Sequence, residues 1–168
     1  PAIADANERV IQAGYDYGHN THSTAANVYR IETTHKQPGR YMDITGNKAT
    51  AYGFIAAAEK AGLKLYLGSY PITPATDVLH ELSKHKSLGV TTVQCEDEIA
   101  GCCSAIGASF AGALGVTSTS GPGLCLKSEA MNLAVILELP LVVLDVQRGG
   151  PATGLPTKSE QTDLLQAL

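Results

Sequence analysis

Four aliphatic runs, each separated from the next by one helical stretch, are the feature that most limits how this chain can fold. The runs begin near residues 63, 90, 115 and 141, so one strand and one helix recur roughly every 24 to 27 residues. Their apolar residues follow one another without alternating with polar ones, which is typical of strands that are buried on both faces. Strands of this kind, connected by single helices, predict an α/β fold: a parallel sheet with helices on both faces.

The boundaries of the predicted elements follow from local signals. Gly62 ends an alanine-rich helical stretch, because a glycine just after a helix can adopt the left-handed conformation that closes it. The stretch at 97–114 is rich in small residues and predicts a slim helix, which either packs tightly on its own sheet or faces another subunit. The predicted helices are 46–61, 77–86, 97–114 and 123–137, and the predicted strands are 63–68, 90–95, 115–120 and 141–146.

Residues 1–42 differ from the rest of the chain. They are polar, carry scattered tyrosines and keep neither the helical nor the strand period over any length. We expect this segment to be a poorly regular linker or arm, with a short amphipathic stretch at 5–13. Residues 43–168 form the predicted domain. Because the chain opens on Pro1 and stops within a predicted helix, we expect this domain to be truncated at its C-terminus.

Composition and charge limit the functions that the chain can have. The 168 residues carry a net charge of −4, whereas nucleic acids and anionic membranes are bound by basic faces, so neither partner is expected. No apolar run reaches the roughly 20 residues of a membrane-spanning helix, and no secretory signal pattern is present, which predicts a cytoplasmic location. The four cysteines do not have iron–sulfur spacing, so free thiols and no metal ligands are expected on this chain.

A glycine-rich turn, Ser120 to Gly123, joins the third predicted strand to the next helix. Such a turn points free backbone N–H groups at whatever lies above it, so it is either an anion-binding site or a tight connection without a ligand. It is not a P-loop, since no Gly-Lys-Ser/Thr follows. In the dinucleotide-binding fingerprint G-x-G-x-x-G, the position of the third glycine is occupied here by Leu126. The acidic residue that this fingerprint requires about 20 residues further on is present as Asp145. A nicotinamide- or flavin-nucleotide-binding oxidoreductase domain therefore stays an alternative.

Two charged residues follow strand ends, where ligands collect in parallel sheets. Glu98 opens the slim helix; it is either stabilised there by the helix dipole or presents a poorly hydrated carboxylate suited to acid–base chemistry. Arg148 is a lone cation placed by the Gly/Pro-rich loop at 149–156. Its guanidinium can hold a substrate carboxylate through two hydrogen bonds, or it can form an internal salt bridge to Glu98 or Asp145.

Four motifs occur in a fixed order along the chain, and together they resemble a known family. They are Tyr70-Pro71-Ile72-Thr73-Pro74, Glu96-Asp97-Glu98-Ile99-Ala100, Thr119-Ser120-Gly121-Pro122-Gly123 and the run from Arg148 to Thr157. In order and spacing they are similar to the alpha subunits of 2-oxoacid:ferredoxin oxidoreductases, especially those of the 2-oxoglutarate type. The likeness extends over residues 43–168, about three quarters of the chain.

The resemblance implies that residues 43–168 form the pyrimidine-binding domain of a thiamine diphosphate enzyme. Glu98 then matches the glutamate that hydrogen-bonds the aminopyrimidine ring and so promotes loss of the thiazolium proton, which makes Glu98 the catalytic residue. Thr73 and Arg148 match residues that bind the carboxylate and keto oxygen of the substrate. The implied cofactor-binding residues are Tyr70, Pro71, Ile72, Glu98, Ser120 and Gly121.

The resemblance also implies what the chain works with. The reaction is the oxidative decarboxylation of a 2-oxoacid, expected to be 2-oxoglutarate, to an acyl-CoA and CO2, with electrons passed to ferredoxin. A beta subunit is expected to complete the thiamine diphosphate site in a hetero-oligomer and to carry Mg2+ and a 4Fe–4S cluster, so the chain alone is expected to be inactive. A non-catalytic scaffold of the same fold is a further alternative, against which the presence of Thr73, Glu98 and Arg148 argues.

Overall fold

The computed structural model describes residues 2–21, 29–32, 37–155 and 157–168. The chain divides into two units, Pro1–Tyr41 and Met42–Leu168, and this division lies one residue from the predicted boundary. None of the described helices is long and apolar enough to cross a membrane.

The first unit carries helix α1 (Ala2–Thr21), so the prediction of a poorly regular segment is corrected for these residues. The helix is longer than the amphipathic stretch predicted at 5–13. Its side chains make local contacts, such as the hydrogen bond of 2.8 Å from Gln12 Nε2 to Asp16 Oδ1, and none of its residues is buried. Its apolar residues Ile3, Val10 and Tyr17 lie seven positions apart, on one face of the helix, so the sequence carries a helical period that the prediction underestimated. That residues 1–42 act as a linker stays a prediction.

The second unit is built on four parallel strands: β1 (Leu65–Ser69), β2 (Val90–Gln94), β3 (Leu114–Thr119) and β4 (Val142–Asp145). Their order in the sheet is β2–β1–β3–β4. Leu65 pairs with Val90 on one side and with Leu114 on the other. The predicted parallel sheet is thereby confirmed, and each of its four strands lies within two residues of its predicted bounds.

Helices cover both faces of this sheet, as the aliphatic strands predict. They are α2 (Gly46–Ala61), α3 (Thr76–Leu82), α4 (Glu98–Phe110), α5 (Gly121–Ile136) and α6 (Thr162–Ala167), with a 3-10 turn at Lys86–Leu88. One core joins α2 and α3 to the strands; its buried residues are Ala51, Ala58, Leu65, Leu67, Val78, Leu79, Leu82, Val90 and Val116. The other joins α4 to α5 through Cys102, Ile106, Ala130 and Ala134.

The slim helix α4 lies directly on the sheet. A methyl group added at Gly68 of β1 would collide with the carbonyl oxygen of Gly101, and one added at Gly115 of β3 would collide with that of Ala105. Backbone-to-backbone packing of this kind is possible only where side chains are absent or very small. Tight packing of α4 on its own sheet therefore accounts for the small residues on its inner side.

Two helices end earlier than the sequence predicts. The predicted helix 97–114 ends at Phe110, because Gly112 takes a φ of +85° and turns the chain toward β3. The predicted helix 77–86 ends at Leu82, and the 3-10 turn completes the connection to β2. Both shortened ends lie far from the carboxyl ends of the strands, so they do not alter the position of the predicted site residues.

Candidate functional site

A topological switch point lies between β1 and β3. The chain leaves β1 for β2 on one side, whereas β3 lies on the other side of β1. In an open parallel sheet such a point leaves a crevice at the carboxyl ends of the two strands, and ligands bind there. Tyr70 follows β1 and Ser120 follows β3, so both border this crevice.

Three side chains converge on Gly123 at the start of α5. Tyr70 Oη and Thr119 Oγ1 lie 2.9 Å apart. A methyl group added at Gly123 would collide with both of these oxygen atoms and would lie 2.7 Å from Glu98 Oε1. The absence of a side chain at Gly123 therefore leaves room for two hydroxyl groups and one carboxylate around a single position. We call Tyr70, Glu98, Thr119 and Gly123 the switch-point cluster.

The start of α4 fixes the backbone of Glu98. Asp97 is the N-cap residue, and its carboxylate accepts a hydrogen bond of 2.8 Å from the backbone N–H of Ala100. Glu98 is the first residue of the helix and is half-buried. Lys127 Nζ donates a hydrogen bond of 3.1 Å to the Glu98 carbonyl oxygen. The glutamate side chain therefore starts from a backbone position that is held from two sides.

The surroundings of Tyr70 keep its phenol neutral. Burial raises the pKa of Tyr70 above its usual value; the hydrogen bond with Thr119 opposes this, and the hydrogen bond and charge of Glu98 add to it. A neutral phenol can donate its proton to the Glu98 carboxylate and accept a hydrogen bond from Thr119. The cluster thus combines one carboxylate with a hydroxyl group that orients it.

The side chain of Arg148 folds back under its own loop, and the residue is 5% exposed. Its Nη1 donates a hydrogen bond of 3.1 Å to the Thr73 carbonyl oxygen, and its Nη2 donates to that of Ala152. Its buried Nε has no hydrogen-bond partner among the described residues. Within the part of the chain that the structure describes, Arg148 forms no salt bridge to Glu98 or Asp145. The guanidinium therefore keeps a buried N–H donor that no group of the described residues uses.

Ser120 and Gly121, which follow β3, lie against the loop that carries Arg148. Ser120 Oγ donates a hydrogen bond of 3.3 Å to the Thr73 carbonyl oxygen, which also accepts from Arg148. A methyl group added at Gly121 would lie 3.2 Å from the Arg148 carbonyl oxygen. Four of the predicted site residues are thus brought together at one edge of the sheet.

The turn after β1 carries the other predicted residues. The backbone N–H of Ile72 donates a hydrogen bond of 2.8 Å to Thr76 Oγ1, which in turn donates to the Ile72 carbonyl oxygen at 2.9 Å. Pro71 and Thr73 are exposed on this turn. A cavity of about 250 Å³ opens beside Thr73, and its other lining residues are Pro74, Gln147, Thr157, Lys158 and Ser159.

The sequence reasoning missed Lys127, whose side chain is fully buried beneath the switch-point cluster. Its Nζ donates a hydrogen bond of 2.8 Å to Thr117 Oγ1 and lies 5.4 Å from the centre of the Tyr70 ring. A signal for it is present in the sequence. Lys127 lies on the same helix face as Leu124 and Ala130, both buried, and a lysine on an apolar face is rarely buried without a specific partner.

The sequence reasoning also missed a pair of carboxyl groups at the base of the Arg148 loop. Asp145 ends β4, and Asp163 lies in the first turn of α6. One oxygen atom of each carboxyl group is buried and lacks a hydrogen-bond donor among the described residues. Burial, followed by the hydrogen bond with Asp163 and its negative charge, raises the pKa of Asp145 to about 7. A single proton shared between the two carboxyl groups satisfies both.

The cofactor implied by the sequence resemblance can be tested against the switch-point cluster. An aminopyrimidine ring is flat and carries ring nitrogens and an amino group, so a carboxylate, a hydroxyl group and an uncluttered surface would hold it. Glu98 and Tyr70 supply the polar groups, and Gly123, which has no side chain, lets these groups approach each other at the mouth of the crevice. The residues present therefore fit the pyrimidine half of thiamine diphosphate.

The fold and the switch-point cluster define a cofactor-binding α/β domain. Residues 56–168 match the family described as pyruvate flavodoxin/ferredoxin oxidoreductase, thiamine diphosphate-binding, and the chain belongs to this family. The predicted family and the predicted thiamine diphosphate-binding fold are confirmed. The match also sets aside the nucleotide-binding alternative that the Ser120–Gly123 turn left open.

Curated relatives and one solved structure agree with this family. The chain is 60% identical over 168 residues to the 2-oxoglutarate oxidoreductase subunit KorA of Mycobacterium tuberculosis, which covers 100% of this chain and 26% of the relative. It is 44% identical over 125 residues to the 2-oxoglutarate synthase subunit KorA of Archaeoglobus fulgidus, with 74% of this chain and 35% of the relative covered. The chain thus spans about a quarter to a third of the length of these relatives.

The solved structure is a 2-oxoglutarate:ferredoxin oxidoreductase from Magnetococcus marinus with 2-oxoglutarate, coenzyme A and succinyl-CoA bound. The similarity has a TM-score of 0.68 with 41% sequence identity, and it covers 94% of this chain and 27% of the other.

Proposed function

We propose that this chain is the pyrimidine-side part of an enzyme subunit that oxidatively decarboxylates 2-oxoglutarate. The reaction consumes coenzyme A, releases succinyl-CoA and CO2, and passes two electrons to ferredoxin. The names of the curated relatives support the substrate. The ligands of the similar solved structure support both the substrate and the acyl carrier.

The observation that carries the proposal is the convergence of Glu98, Tyr70 and Thr119 on Gly123 at the switch point. When bound, thiamine diphosphate supplies a nucleophilic carbon and an electron sink for the decarboxylation. The Glu98 carboxylate would hold and move a proton for the bound pyrimidine, and Glu98 is the proposed catalytic residue. Tyr70 donates a hydrogen bond that orients this carboxylate. Ser120, Pro71, Ile72 and Gly121 complete the proposed cofactor surface.

Arg148 and Thr73 are the proposed substrate-binding residues. The Nη atoms of Arg148 are held by two carbonyl oxygens, which leaves the buried Nε–H as a donor without a partner in the part of the chain that the structure describes. A substrate carboxylate that accepts from Nε and from a remaining Nη hydrogen would satisfy this donor. Thr73 lies on the cavity of about 250 Å³ next to this loop, in reach of the other polar groups of a small 2-oxoacid.

The rest of the reaction belongs, in this proposal, to a beta subunit. We infer that the beta subunit binds the diphosphate with Mg2+ and carries a 4Fe–4S cluster, and that the two chains form a hetero-oligomer. The chain alone then holds half of a cofactor site and is inactive by itself. All four cysteines of this chain are free, which fits the reducing cytoplasm that we propose as its location.

The test is an activity assay on the full-length subunit, expressed anaerobically with its beta partner. We expect coenzyme A-dependent reduction of a dye with 2-oxoglutarate, and we expect Glu98→Gln to lower kcat by ~10²–10⁴-fold, the range of a general acid–base group. Glu96→Gln is the matched control, because Glu96 is exposed two residues earlier in the chain.

An active wild type that Glu98→Gln leaves unchanged would show that Glu98 only begins a helix, and the site assignment would be wrong. Activity with pyruvate but not with 2-oxoglutarate would keep the reaction and refute the substrate. An assembled complex that is inactive with every 2-oxoacid tried would instead favour the non-catalytic scaffold.

A further inference from the structure

Lys127 has contacts on three structural elements that meet at the switch point. Its Nζ donates to Thr117 Oγ1 of β3 at 2.8 Å and to the carbonyl oxygen of Glu98, the first residue of α4, at 3.1 Å. On its third side, Nζ faces the aromatic ring of Tyr70, the residue that follows β1, and lies 5.4 Å from the centre of that ring. An ammonium group has three N–H donors, and this geometry gives each of them a partner.

The burial of this lysine is costly and therefore calls for a physical reason. Lys127 is 0% exposed, and its environment contains no carboxylate within ion-pair distance among the described residues. Burial lowers the pKa of Lys127, and the nearby Cys102 and Glu98 oppose this effect. A methionine or leucine would fill the same space on the inner face of α5 without a desolvation penalty. What the lysine adds is a fixed set of hydrogen bonds and a positive charge under the cluster.

We propose that Lys127 is a positioning residue for the reaction, which fixes Glu98 and Tyr70 relative to each other and places a buried cation under the first turn of α4. The inference rests on the proposed function of Glu98 and extends it to a residue without direct access to the cofactor. Lys127 is buried one helical turn after Gly123 on α5 and contacts the Glu98 backbone and the Tyr70 ring, so it acts through these two residues. Its three contacts tie β1, β3 and α4 together, and displacing any one of them would change where the Glu98 carboxylate lies.

The test compares Lys127→Met with wild type in the assembled full-length complex. Methionine has a similar length and keeps the packing of α5, but it removes the charge and all three donors. We expect a fall in kcat of about 100-fold, the scale of a small misplacement of a catalytic group. We also expect the acid limb of the kcat/KM profile to move to higher pH, because a carboxylate that loses a nearby cation is protonated more readily.

The pH profile distinguishes this role from a purely structural one. Loss of packing alone would lower activity without moving the acid limb. The titratable groups near Nζ are Cys102, Glu98 and Asp97 on α4, Cys95 after β2 and Tyr70 after β1. Lys60→Met, at an exposed lysine in the last turn of α2, is the matched control and should leave both kcat and the profile unchanged.

Two results would overturn the inference: a Lys127→Met complex with wild-type kcat and profile, or one with reduced kcat and an unmoved acid limb. If Lys127→Met does not assemble, Thr117→Val removes one acceptor of Nζ with little change in shape, and it should shift the limb in the same direction. An unmoved limb in that variant also overturns the inference. Glu98→Gln is measured alongside. If it matches wild type, the proposed function fails and this inference with it, whereas an inactive Glu98→Gln beside a wild-type Lys127→Met refutes only the role of Lys127.

Discussion

Tyr70 Oη and Thr119 Oγ1 lie 2.9 Å apart, although the two residues are 49 positions apart in the chain. The register of the parallel sheet sets this distance. Gly68 of β1 pairs with Thr117 of β3, so the residues two positions further on lie side by side and on the same face. The hydrogen bond therefore follows from the strand pairing, and it directs the Tyr70 hydroxyl group toward Glu98.

Tyr70→Phe removes this hydrogen bond and the contact with Glu98, while the ring still packs over Lys127. We expect the free energy of unfolding to fall by about 0.5–1.5 kcal/mol, the net value of a typical hydrogen bond, and kcat of the complex to fall by roughly tenfold. Urea denaturation and the dye-reduction assay measure the two effects. Tyr66→Phe, in the preceding strand β1, is the control. Equal kcat values for Tyr70→Phe and wild type would show that Tyr70 does not orient Glu98.

Gly123→Ala places a methyl group at the centre of the switch-point cluster. It would collide with the hydroxyl groups of Tyr70 and Thr119 and approach Glu98 Oε1 to 2.7 Å, so these groups must move apart. We expect a loss of about 1–3 kcal/mol in unfolding free energy, as for an overpacked core, and a fall in kcat of at least ~100-fold.

Gly53→Ala is the matched control for this substitution, because Gly53 lies inside α2 and a methyl group there meets nothing within 4 Å. We expect it to stabilise the fold slightly, by about 0.5–1 kcal/mol, with unchanged kcat. If Gly123→Ala behaves like Gly53→Ala, the close packing of Tyr70, Thr119 and Glu98 around Gly123 does not determine activity.

Arg148→Lys tests the proposed grip on the substrate carboxylate. Lysine keeps the charge but cannot donate to Thr73 and Ala152 and also offer a paired donor to a carboxylate. Since a hydrogen bond to a charged group contributes about 1.5–3 kcal/mol, we expect KM for 2-oxoglutarate to rise by roughly 10- to 100-fold. Initial-rate kinetics over a range of 2-oxoglutarate concentrations measure this change. A KM equal to that of wild type would mean that Arg148 supports the loop and does not bind substrate.

The sheet and most helix boundaries could be predicted because their signals are local. The left-handed Gly62 that ends α2 (φ +68°) and the aliphatic run of β3 are visible in any short window of the sequence. Glu98 and Arg148 could be named in advance because parallel sheets bring the carboxyl ends of all strands to one edge. For these residues, knowing the order of the elements was enough to predict their placement.

The features that were missed depend on contacts between distant parts of the chain. The apolar face of α5 marks Lys127 as unusual, but its partners Thr117 and Glu98 can be identified only once α5 is packed against them. Asp145 and Asp163 are separated by an irregular loop, and no sequence period connects them. The helix α1 is a different case: the helical spacing of Ile3, Val10 and Tyr17 is visible in the sequence, but the prediction extended it only over 5–13.

The pair of Asp145 and Asp163 makes stability depend on pH in a definite direction. Burial and the neighbouring Asp163 raise the pKa of Asp145 to about 7 from an ordinary 3.8. Between these values the folded chain holds a proton that the unfolded chain has released. Folding is therefore coupled to proton uptake, and the contribution of this pair to stability is fully present below about pH 4 and is lost as the pH rises toward 7.

Asp145→Asn isolates this contribution, because an amide can donate to Asp163 at every pH and does not titrate. We expect wild type to lose on the order of 2 kcal/mol of unfolding free energy between pH 5 and pH 7.5 relative to Asp145→Asn. Glu81 does not interfere: its hydrogen bond with Lys84 lowers its pKa to about 2, so its effect appears only as the pH falls below about 4.5. Urea denaturation of both proteins across this range measures the difference. Parallel pH curves for the two would mean that Asp145 is ionised in the folded chain and that no proton is shared, and the Arg148 loop would then be held at its base by other contacts.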